Sequence, residues 1–219
     1  MKNRFYLIYR KLYNRFGPQY WWPADNALEV MLGAVLTQNT SWANVEQAIA
    51  NLKKKRLLKF ERLLCLPQGR LSLLIRPAGY YNVKAKRLMN FLKFLDASCR
   101  GNIKKMRRGK AGDLRRKLLE VNGIGPETAD SILLYALEKP VFVVDAYTKR
   151  IFSRHGFIKP GADYHQVQGL FMRGLKKDVW LFNEYHALLV RLGKEFCLKN
   201  KPKCSLCPLN SSEFYLGDN

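Results

Sequence analysis

The sequence predicts an all-α protein. Apolar residues recur every three to four positions through most of the chain, which is the spacing of an amphipathic helix. The strand-like run is residues 140–144 (PVFVV), and five residues that end at an acid suit a buried extended connector equally well. We expect a connector there. The third observation is a Gly-x-Gly turn at 123–125 between two amphipathic stretches, the composition of a tight helix–helix hairpin.

Each predicted helix follows from an apolar face and, in places, from its end signals. The first begins after Asp25, a favourable N-cap residue, and a short one ends before Pro77, which disfavours helix in the residue before it. The helix that leads into the hairpin begins at Asp113. The helix that leaves it carries Pro126 in its first turn, where the missing N–H does no harm. The predicted helices cover residues 25–36, 42–53, 70–75, 82–97, 113–121, 127–137, 145–155, 163–176 and 178–196.

Residues 104–110 (KKMRRGK) are expected to form a basic, exposed loop before the hairpin. The simpler interpretation is a solvated linker. The second is a segment that touches the same ligand as the hairpin, because the two lie close in sequence. Both interpretations stay open at this point.

The charge balance indicates a polyanionic partner. The 219 residues include 39 lysines and arginines against 17 acids, a formal net charge of +22. A solvated basic surface is the simpler alternative. The 47% of apolar residues excludes wholesale disorder, and no apolar run reaches the roughly 18 residues that a membrane-spanning helix needs. Because the start MKNRF also lacks a signal peptide, we expect a cytoplasmic, nucleoid-associated protein with no membrane partner.

The hairpin offers a seat for phosphate. A tight turn points several backbone N–H groups at one spot, and the N-terminus of the following helix adds positive potential there. Gly-x-Gly is weak evidence alone, because any tight turn between helices uses glycine. In a chain with this net charge, we interpret Gly123, Ile124, Gly125 and Thr128 as residues that bind a nucleic-acid phosphate. Such contacts position a protein without reading sequence.

Asp145 is the candidate catalytic acid. It follows an apolar run and precedes a predicted helix, so it is at least a good N-cap residue. An N-cap carboxylate lies in the positive field of its own helix, which favours the ionised form. An ionised acid beside an apolar cleft suits the stabilisation of a cationic sugar or the orientation of a water. A cap with no catalytic role is the alternative.

The five cysteines are unevenly placed. Cys65 and Cys99 stand alone within apparent helices, where we expect them to be buried or inert. Cys197, Cys204 and Cys207 cluster near the C-terminus among prolines. In a reducing cytosol, such a cluster indicates a metal site before it indicates a disulfide.

These motifs together resemble the helix-hairpin-helix DNA glycosylases of the endonuclease III superfamily. The hairpin is followed by Asp145, residues 33–40 (GAVLTQNT) resemble the segment that fills the gap left by a flipped base, and the three clustered cysteines resemble the iron–sulfur loop. The resemblance runs from about residue 20 to 208, in the family's order. Residues 20–23 (YWWP) and 76–86 (RPAGYYNVKAK) are most similar to bacterial type III 3-methyladenine DNA glycosylases and endonuclease III-related proteins.

The resemblance implies a two-lobed fold. Residues 24–138 form a six-helix domain that contains the hairpin, and residues 1–23 with 139–219 form a second lobe that ends in the cysteine loop. DNA is expected across the cleft between the lobes, with Asp145 opposite the Gln38 loop. Asp145 then matches the catalytic aspartate, and Gln38 occupies the space vacated by the flipped base. A polar residue that merely ends a helix is the alternative for Gln38.

The resemblance also assigns the base pocket and the type of reaction. It places Trp21, Trp22 and Trp42 near the flipped base, although ordinary core packing is expected for at least one of them. Glu127 stands where bifunctional members carry the lysine that attacks C1′, and a carboxylate cannot form a Schiff base. Water should therefore be the nucleophile, with weak or absent lyase activity. Nearby amines that remain as possible substitutes are Lys84, Lys86 and Lys149.

The cysteine loop departs from the family pattern. The position of the fourth cysteine is Glu213, whereas iron–sulfur clusters normally take four thiolates. Three interpretations stay open: a [4Fe–4S] cluster whose fourth ligand is Glu213, another oxygen or solvent; a zinc or three-iron site; and a loop that packs without metal. The metal ligands implied are Cys197, Cys204, Cys207 and Glu213. The loop's lysines suit DNA contact in every case.

The expected function is a monofunctional DNA glycosylase that removes alkylated purines, especially 3-methyladenine. Such a base is cationic, and indole rings attract cations by roughly 0.5–2 kcal/mol. Alternatives are a glycosylase or abasic-site lyase for oxidised or mismatched bases, and a non-catalytic DNA-binding protein. The expected partner is double-stranded DNA with damaged bases, bound by a monomer.

Overall fold

The computed structural model describes residues 2–22 and 24–215, and within these ranges the chain is helical with no β-strand. The all-α prediction is confirmed. Two compact units are present: one comprises the residues up to Trp21 and from Pro140 onward, and the other comprises Trp22–Lys139. The ends of the predicted lobes at Met1, Pro23 and residues 216–219 lie outside the described residues.

Twelve α-helices lie in the described part of the chain, joined by short connectors. They are α1 (Lys2–Phe16), α2 (Ala27–Leu36), α3 (Trp42–Lys54), α4 (Phe60–Leu64), α5 (Gln68–Leu74), α6 (Tyr81–Cys99), α7 (Ile103–Arg107), α8 (Ala111–Leu119), α9 (Pro126–Ser131), α10 (Ala146–Arg154), α11 (Tyr164–Gly174) and α12 (Val179–Glu195). A π-helical turn, Ile132–Ala136, continues α9, and 3₁₀ turns lie at Arg76–Ala78, Cys204–Leu206 and Ser212–Phe214. None of the described helices is long and apolar enough to cross a membrane.

The core of the Trp22–Lys139 unit is built around α2. All but the first of its residues are buried, so it is a central helix rather than an amphipathic surface helix. It packs against α3, α6, α9 and the π-helical turn. The C-terminal end of α2 leads into the turn that carries Gln38. The position of that turn is therefore set by the best-packed helix of the unit.

The core of the other unit is aromatic. Phe142 stacks on Phe171 with ring centroids 3.9 Å apart, and Tyr185 meets both rings edge-on. Residues 140–144 form a buried connector, as the sequence predicts, since four of the five are buried and none is in a helix or a strand. Phe142 accepts a hydrogen bond from Gln168 through its carbonyl. The connector is thus tied to α11 just before Asp145.

A close helix crossing positions α10 against α12. A Cβ built on Gly193 would lie 2.3 Å from Cδ1 of Tyr147, so only glycine leaves room for this ring. Arg150 of α10 donates to the carbonyl of Gly193 at 3.0 Å. The two helices that carry Asp145 and His186 are therefore in direct contact.

Several local predictions were wrong. Asn26, not Asp25, caps α2, because its Oδ1 accepts from the Glu29 N–H, while Asp25 pairs with Lys53. The N-cap of α8 is Lys110, so Asp113 lies within the first turn. Cys65 is exposed and follows the last residue of α4.

The basic segment before the hairpin is not simply a loop. It contains the one-turn helix α7, and Met106 is buried in the protein core. Lys104 and Lys105 remain exposed beside it. The apolar Met106 anchors the segment, so its lysines are carried on an ordered helix.

Candidate active site

Asp145 is the N-cap of α10. Its backbone is extended, and its Oδ1 accepts from the backbone N–H of Thr148 at 2.7 Å and from the Thr148 hydroxyl at 2.8 Å. The side chain is 11% exposed. The position of the carboxylate is set by two features. The connector before Asp145 is buried, and the helix after it is capped by its side chain.

The second oxygen of Asp145 faces a histidine. Oδ2 lies 3.5 Å from Nε2 of His186, a residue of α12 that is itself buried. Burial raises the pKa of Asp145, but the contacts with His186 and Thr148 outweigh burial and hold the pKa below its ordinary value. The carboxylate is therefore ionised at neutral pH. A buried, ionised carboxylate is suited to stabilising positive charge.

The hairpin lies between α8 and α9, as predicted. Gly123 has φ +98°, a conformation that side-chain-bearing residues rarely adopt, and Ile124 is buried beneath the turn. Gly125 is the N-cap of α9 with φ −90°, and a Cβ built on it would meet no atom within 4 Å. The outer side of the turn at Gly125 is therefore open to a close-approaching strand.

A buried ion pair fixes the angle of the hairpin. Asp130 of α9 is fully buried and accepts from Arg115 of α8 through both oxygens, at 2.7 and 3.0 Å. This two-bond geometry restrains orientation as well as distance. The ion pair thus ties the two helices of the hairpin together.

Gln38 is joined to the hairpin. Its Nε2 donates to the carbonyl of Gly123 at 3.0 Å and to the hydroxyl of Thr128 at 2.9 Å. Its Oε1 accepts from Nη1 of Arg87. Thr128 is buried and engages this amide within the protein. The structure therefore joins two predicted elements, the Gln38 turn and the hairpin, directly, and it adds a contact from Arg87, a residue that sequence reasoning missed.

Lys84 binds the C-terminal end of α2, just before the turn that carries Gln38. Its Nζ donates to the carbonyls of Leu36 and Ala78 at 2.8 and 2.7 Å, and the residue is 1% exposed. Burial, aided by the charge of Arg87, lowers the pKa of Lys84 to about 8. Because its amine is committed to the end of α2, Lys84 has a structural role. Lys149 is similarly engaged, with Nζ donating to Ala162.

Two of the predicted tryptophans share an aromatic cluster. The rings of Trp22 and Trp42 meet edge-on with centroids 5.1 Å apart, and Tyr135 lies 4.9 Å from Trp22. Nε1 of Trp42 donates to Glu46 at 2.7 Å. A pocket of about 220 Å³ lies beside them, lined by Trp22, Ala24, Glu29, Trp42, Glu46, Ile49, Ala50 and Lys53. It combines indole faces with carboxylates, although one of these, Glu29, is paired with Lys53.

The remaining predicted site residues are placed as follows. Trp21 belongs to the unit of Asp145, where its ring lies 6.3 Å from that of His186. Glu127 is exposed in the first turn of α9, and its carbonyl accepts from Ser131. Its carboxylate stands at the position where the family resemblance places the lyase lysine.

The cysteine loop is held by arginines. Arg154 donates to Sγ of Cys197 at 3.3 Å and to the carbonyls of Leu198 and Lys199, while Arg150 donates to the carbonyl of Cys197. Burial raises the pKa of Cys207, and its two neighbouring cysteines raise it further.

The donor set for a metal is incomplete. Oε1 of Glu213 accepts from the Ser211 hydroxyl, and no fourth thiol accompanies the three clustered cysteines. Among the described residues, no three His, Cys, Asp or Glu side chains are grouped so as to hold a metal ion. These residues do not match a four-thiolate cluster, and no step of the reaction is assigned to a metal.

Comparison with known proteins identifies the family. Residues 32–177 match the HhH-GPD superfamily of base excision DNA repair proteins. The chain is 50% identical to MJ1434 of Methanocaldococcus jannaschii, which is named as a candidate DNA repair glycosylase. The similarity extends over 206 residues, or 93% of each protein. It is 29% identical over 187 residues to endonuclease III of Thermotoga maritima, covering 85% of this chain and 82% of that one.

Solved structures agree with this assignment. The H. pylori 3-methyladenine DNA glycosylase MagIII, bound to 1,N6-ethenoadenine, is 28% identical with a TM-score of 0.76, covering 87% of this chain and 97% of that one. An endonuclease III–DNA complex has the same fold, with a TM-score of 0.81 at 22% identity over 95% and 93% of the two chains. With the hairpin and the capped aspartate in place, the chain belongs to the HhH-GPD superfamily and is a DNA base-excision repair glycosylase.

Proposed function

We propose that this glycosylase is monofunctional and hydrolyses the N-glycosidic bond of a flipped alkylated purine, with 3-methyladenine as its main substrate. The observation that carries the proposal is the nearly buried, ionised carboxylate of Asp145. A fixed negative charge in a water-poor site stabilises an adjacent cation far more strongly than it does in water.

The reaction begins with extrusion of the base from the duplex, at a cost of a few kcal/mol. Gln38 gives up its hydrogen bonds to Gly123 and Thr128, fills the vacated space and hydrogen-bonds the orphaned partner base. As the C1′–N bond breaks, its electron pair leaves with the base and positive charge develops at C1′. Asp145 stabilises that charge, and a water forms the new C1′–O bond and releases its proton to solvent. The products are a free base and an abasic site.

Water is the nucleophile because an amine is missing from the required position. Glu127 stands there, and a carboxylate cannot form the Schiff base that β-elimination needs. Two of the three substitute lysines are engaged: Lys84 donates to two carbonyls and Lys149 to one. The third, Lys86, is exposed on α6.

Two observations support a cationic base as the substrate. MagIII, a 3-methyladenine glycosylase, is 28% identical over nearly its whole length. The pocket at Trp22 and Trp42 combines aromatic rings, which attract a delocalised cation, with the carboxylate of Glu46, while the lysine in its lining, Lys53, is paired with Asp25 and Glu29. Alkylation also makes the base a good leaving group, so discrimination by shape and charge is sufficient.

The hairpin supplies sequence-independent affinity. Gly125 leaves the start of α9 uncovered, so that a phosphate can reach backbone N–H groups. Such contacts hold the strand but read no base, as a repair enzyme that scans for lesions requires.

The test is to incubate the protein with methylated genomic DNA and to identify the released bases by mass spectrometry. We expect 3-methyladenine as the main product. Release of only oxidised or deaminated bases from matched substrates would overturn the substrate assignment. Borohydride added during the reaction should trap no protein–DNA adduct, whereas a trapped adduct would show lyase chemistry and overturn the monofunctional assignment.

A further inference from the structure

The two oxygens of Asp145 have different surroundings. Oδ1 is occupied by the two hydrogen bonds from Thr148, which any good N-cap would accept. Oδ2 takes no part in capping and lies 3.5 Å from Nε2 of His186. Oδ2 is therefore the oxygen left to face a reacting sugar, and the imidazole is the polar group beside it.

His186 comes from a separate helix and is costly to bury. It lies on α12, where its neighbours in sequence from Tyr185 to Leu189 are all buried, and it is 6% exposed. A polar ring in such a place loses its hydration and must be compensated by a partner. The ring of Trp21 restrains it from one side, edge to face at 6.3 Å. The close crossing of α10 and α12 at Gly193 fixes the separation between the imidazole and the carboxylate.

We propose that His186 is a positioning residue for Asp145, which holds Oδ2 in the orientation that stabilises the sugar cation. The inference rests on the role proposed for Asp145. With Oδ1 fixed by Thr148, the remaining freedom of the carboxylate is the swing of Oδ2, and the imidazole, whose Nε2 lies 3.5 Å from Oδ2, limits that swing. His186 touches neither base nor sugar in this account and acts through Asp145.

Two matched variants separate positioning from packing. In His186→Gln, the side-chain amide nitrogen can reach the position of Nε2. In His186→Asn, the same amide is one methylene shorter and reaches only as far as Nδ1. Both are neutral and polar, so they disturb the apolar surroundings of α12 in a similar way.

Single-turnover excision of 3-methyladenine and binding to an abasic-site duplex are measured for both. We expect His186→Asn to lower the excision rate about 100-fold, the size expected for misplacement of a catalytic group by about 1 Å. His186→Gln should recover most of that loss, and both should bind the duplex like wild type. Equal rates for the two variants, whether both slow or both fast, would overturn the proposal. Melting temperatures confirm that both are folded, and His186→Phe provides a third variant should Asn unfold the protein.

Asp145→Asn keeps this inference distinct from the proposed function. If Asp145→Asn abolishes excision while both His186 variants retain it, the positioning role is refuted and the role of Asp145 stands. If Asp145→Asn itself leaves excision unchanged, the role proposed for Asp145 is refuted, and the inference about His186 is refuted with it.

Discussion

The two hairpin glycines should fail in different ways when they are replaced by alanine. Gly123 has φ +98°, and a Cβ there would lie 2.3 Å from Cγ and 2.9 Å from Cδ of Arg87. Gly125 has φ −90° with an extended ψ, and a Cβ there meets nothing within 4 Å. Gly123 is therefore required by the fold, whereas Gly125 is required only if a ligand approaches.

The magnitude for Gly123→Ala follows from its conformation and its neighbour. Holding a non-glycine residue in such a conformation costs about 1–3 kcal/mol. Displacing Arg87 also breaks its contact with Gln38. At about 2–4 °C for each kcal/mol in a chain of this size, the melting temperature should fall by several degrees. Gly125→Ala should change the melting temperature little, because alanine adopts this extended conformation freely and its smaller loss of entropy on folding offsets its poorer fit to the N-cap position of α9.

The assay pairs thermal melting with binding to a duplex that contains an abasic site. Gly123→Ala should lose stability, and Gly125→Ala should remain stable but bind the duplex more weakly, because its methyl group separates phosphate from backbone. Wild-type melting by Gly123→Ala would refute the packing argument. Wild-type binding by Gly125→Ala would refute the placement of phosphate at the hairpin.

Three further predictions concern the fold and the chemistry. Gly193→Ala should lower the free energy of unfolding by about 1–3 kcal/mol, measured by denaturant titration, because the new methyl group overlaps Tyr147; an unchanged value would contradict the close crossing. Glu127→Lys should create a borohydride-trappable adduct that wild type lacks, and its absence would show that this position does not reach C1′. Because contacts with His186 and Thr148 depress the pKa of Asp145 despite its burial, the carboxylate stays ionised as pH falls. Single-turnover excision should therefore persist as the pH is lowered toward the range in which an ordinary aspartate protonates, and a loss of excision at a clearly higher pH would contradict that ionisation.

The sequence predicts the helices that carry long apolar faces, the hairpin and the N-cap at Asp145, because each depends on local signals. The predicted helix 82–97, for example, corresponds to α6, Tyr81–Cys99. It does not predict α4, which has only five residues, or α1, whose aromatic residues are interspersed with basic ones. Short or irregular patterns are decided by tertiary packing rather than by periodicity.

The contacts around the candidate site were beyond sequence reasoning for a different reason. Arg87 is one of 39 basic residues, and its partner Gln38 lies 49 positions away. His186 is a lone histidine within an apolar helix, a pattern typical of a core residue. Only the fold shows that Arg87 contacts Gln38 and that His186 faces Asp145.

The rate of excision by Asp145→Asn is the sharpest test of the role of this carboxylate. The amide keeps an oxygen that can accept from Thr148, so the cap on α10 survives while the charge is lost. We predict that single-turnover release of 3-methyladenine falls by at least about 10²–10³-fold, with duplex binding retained. Release at the wild-type rate by a folded, DNA-binding variant would contradict the central claim that this carboxylate stabilises the sugar cation.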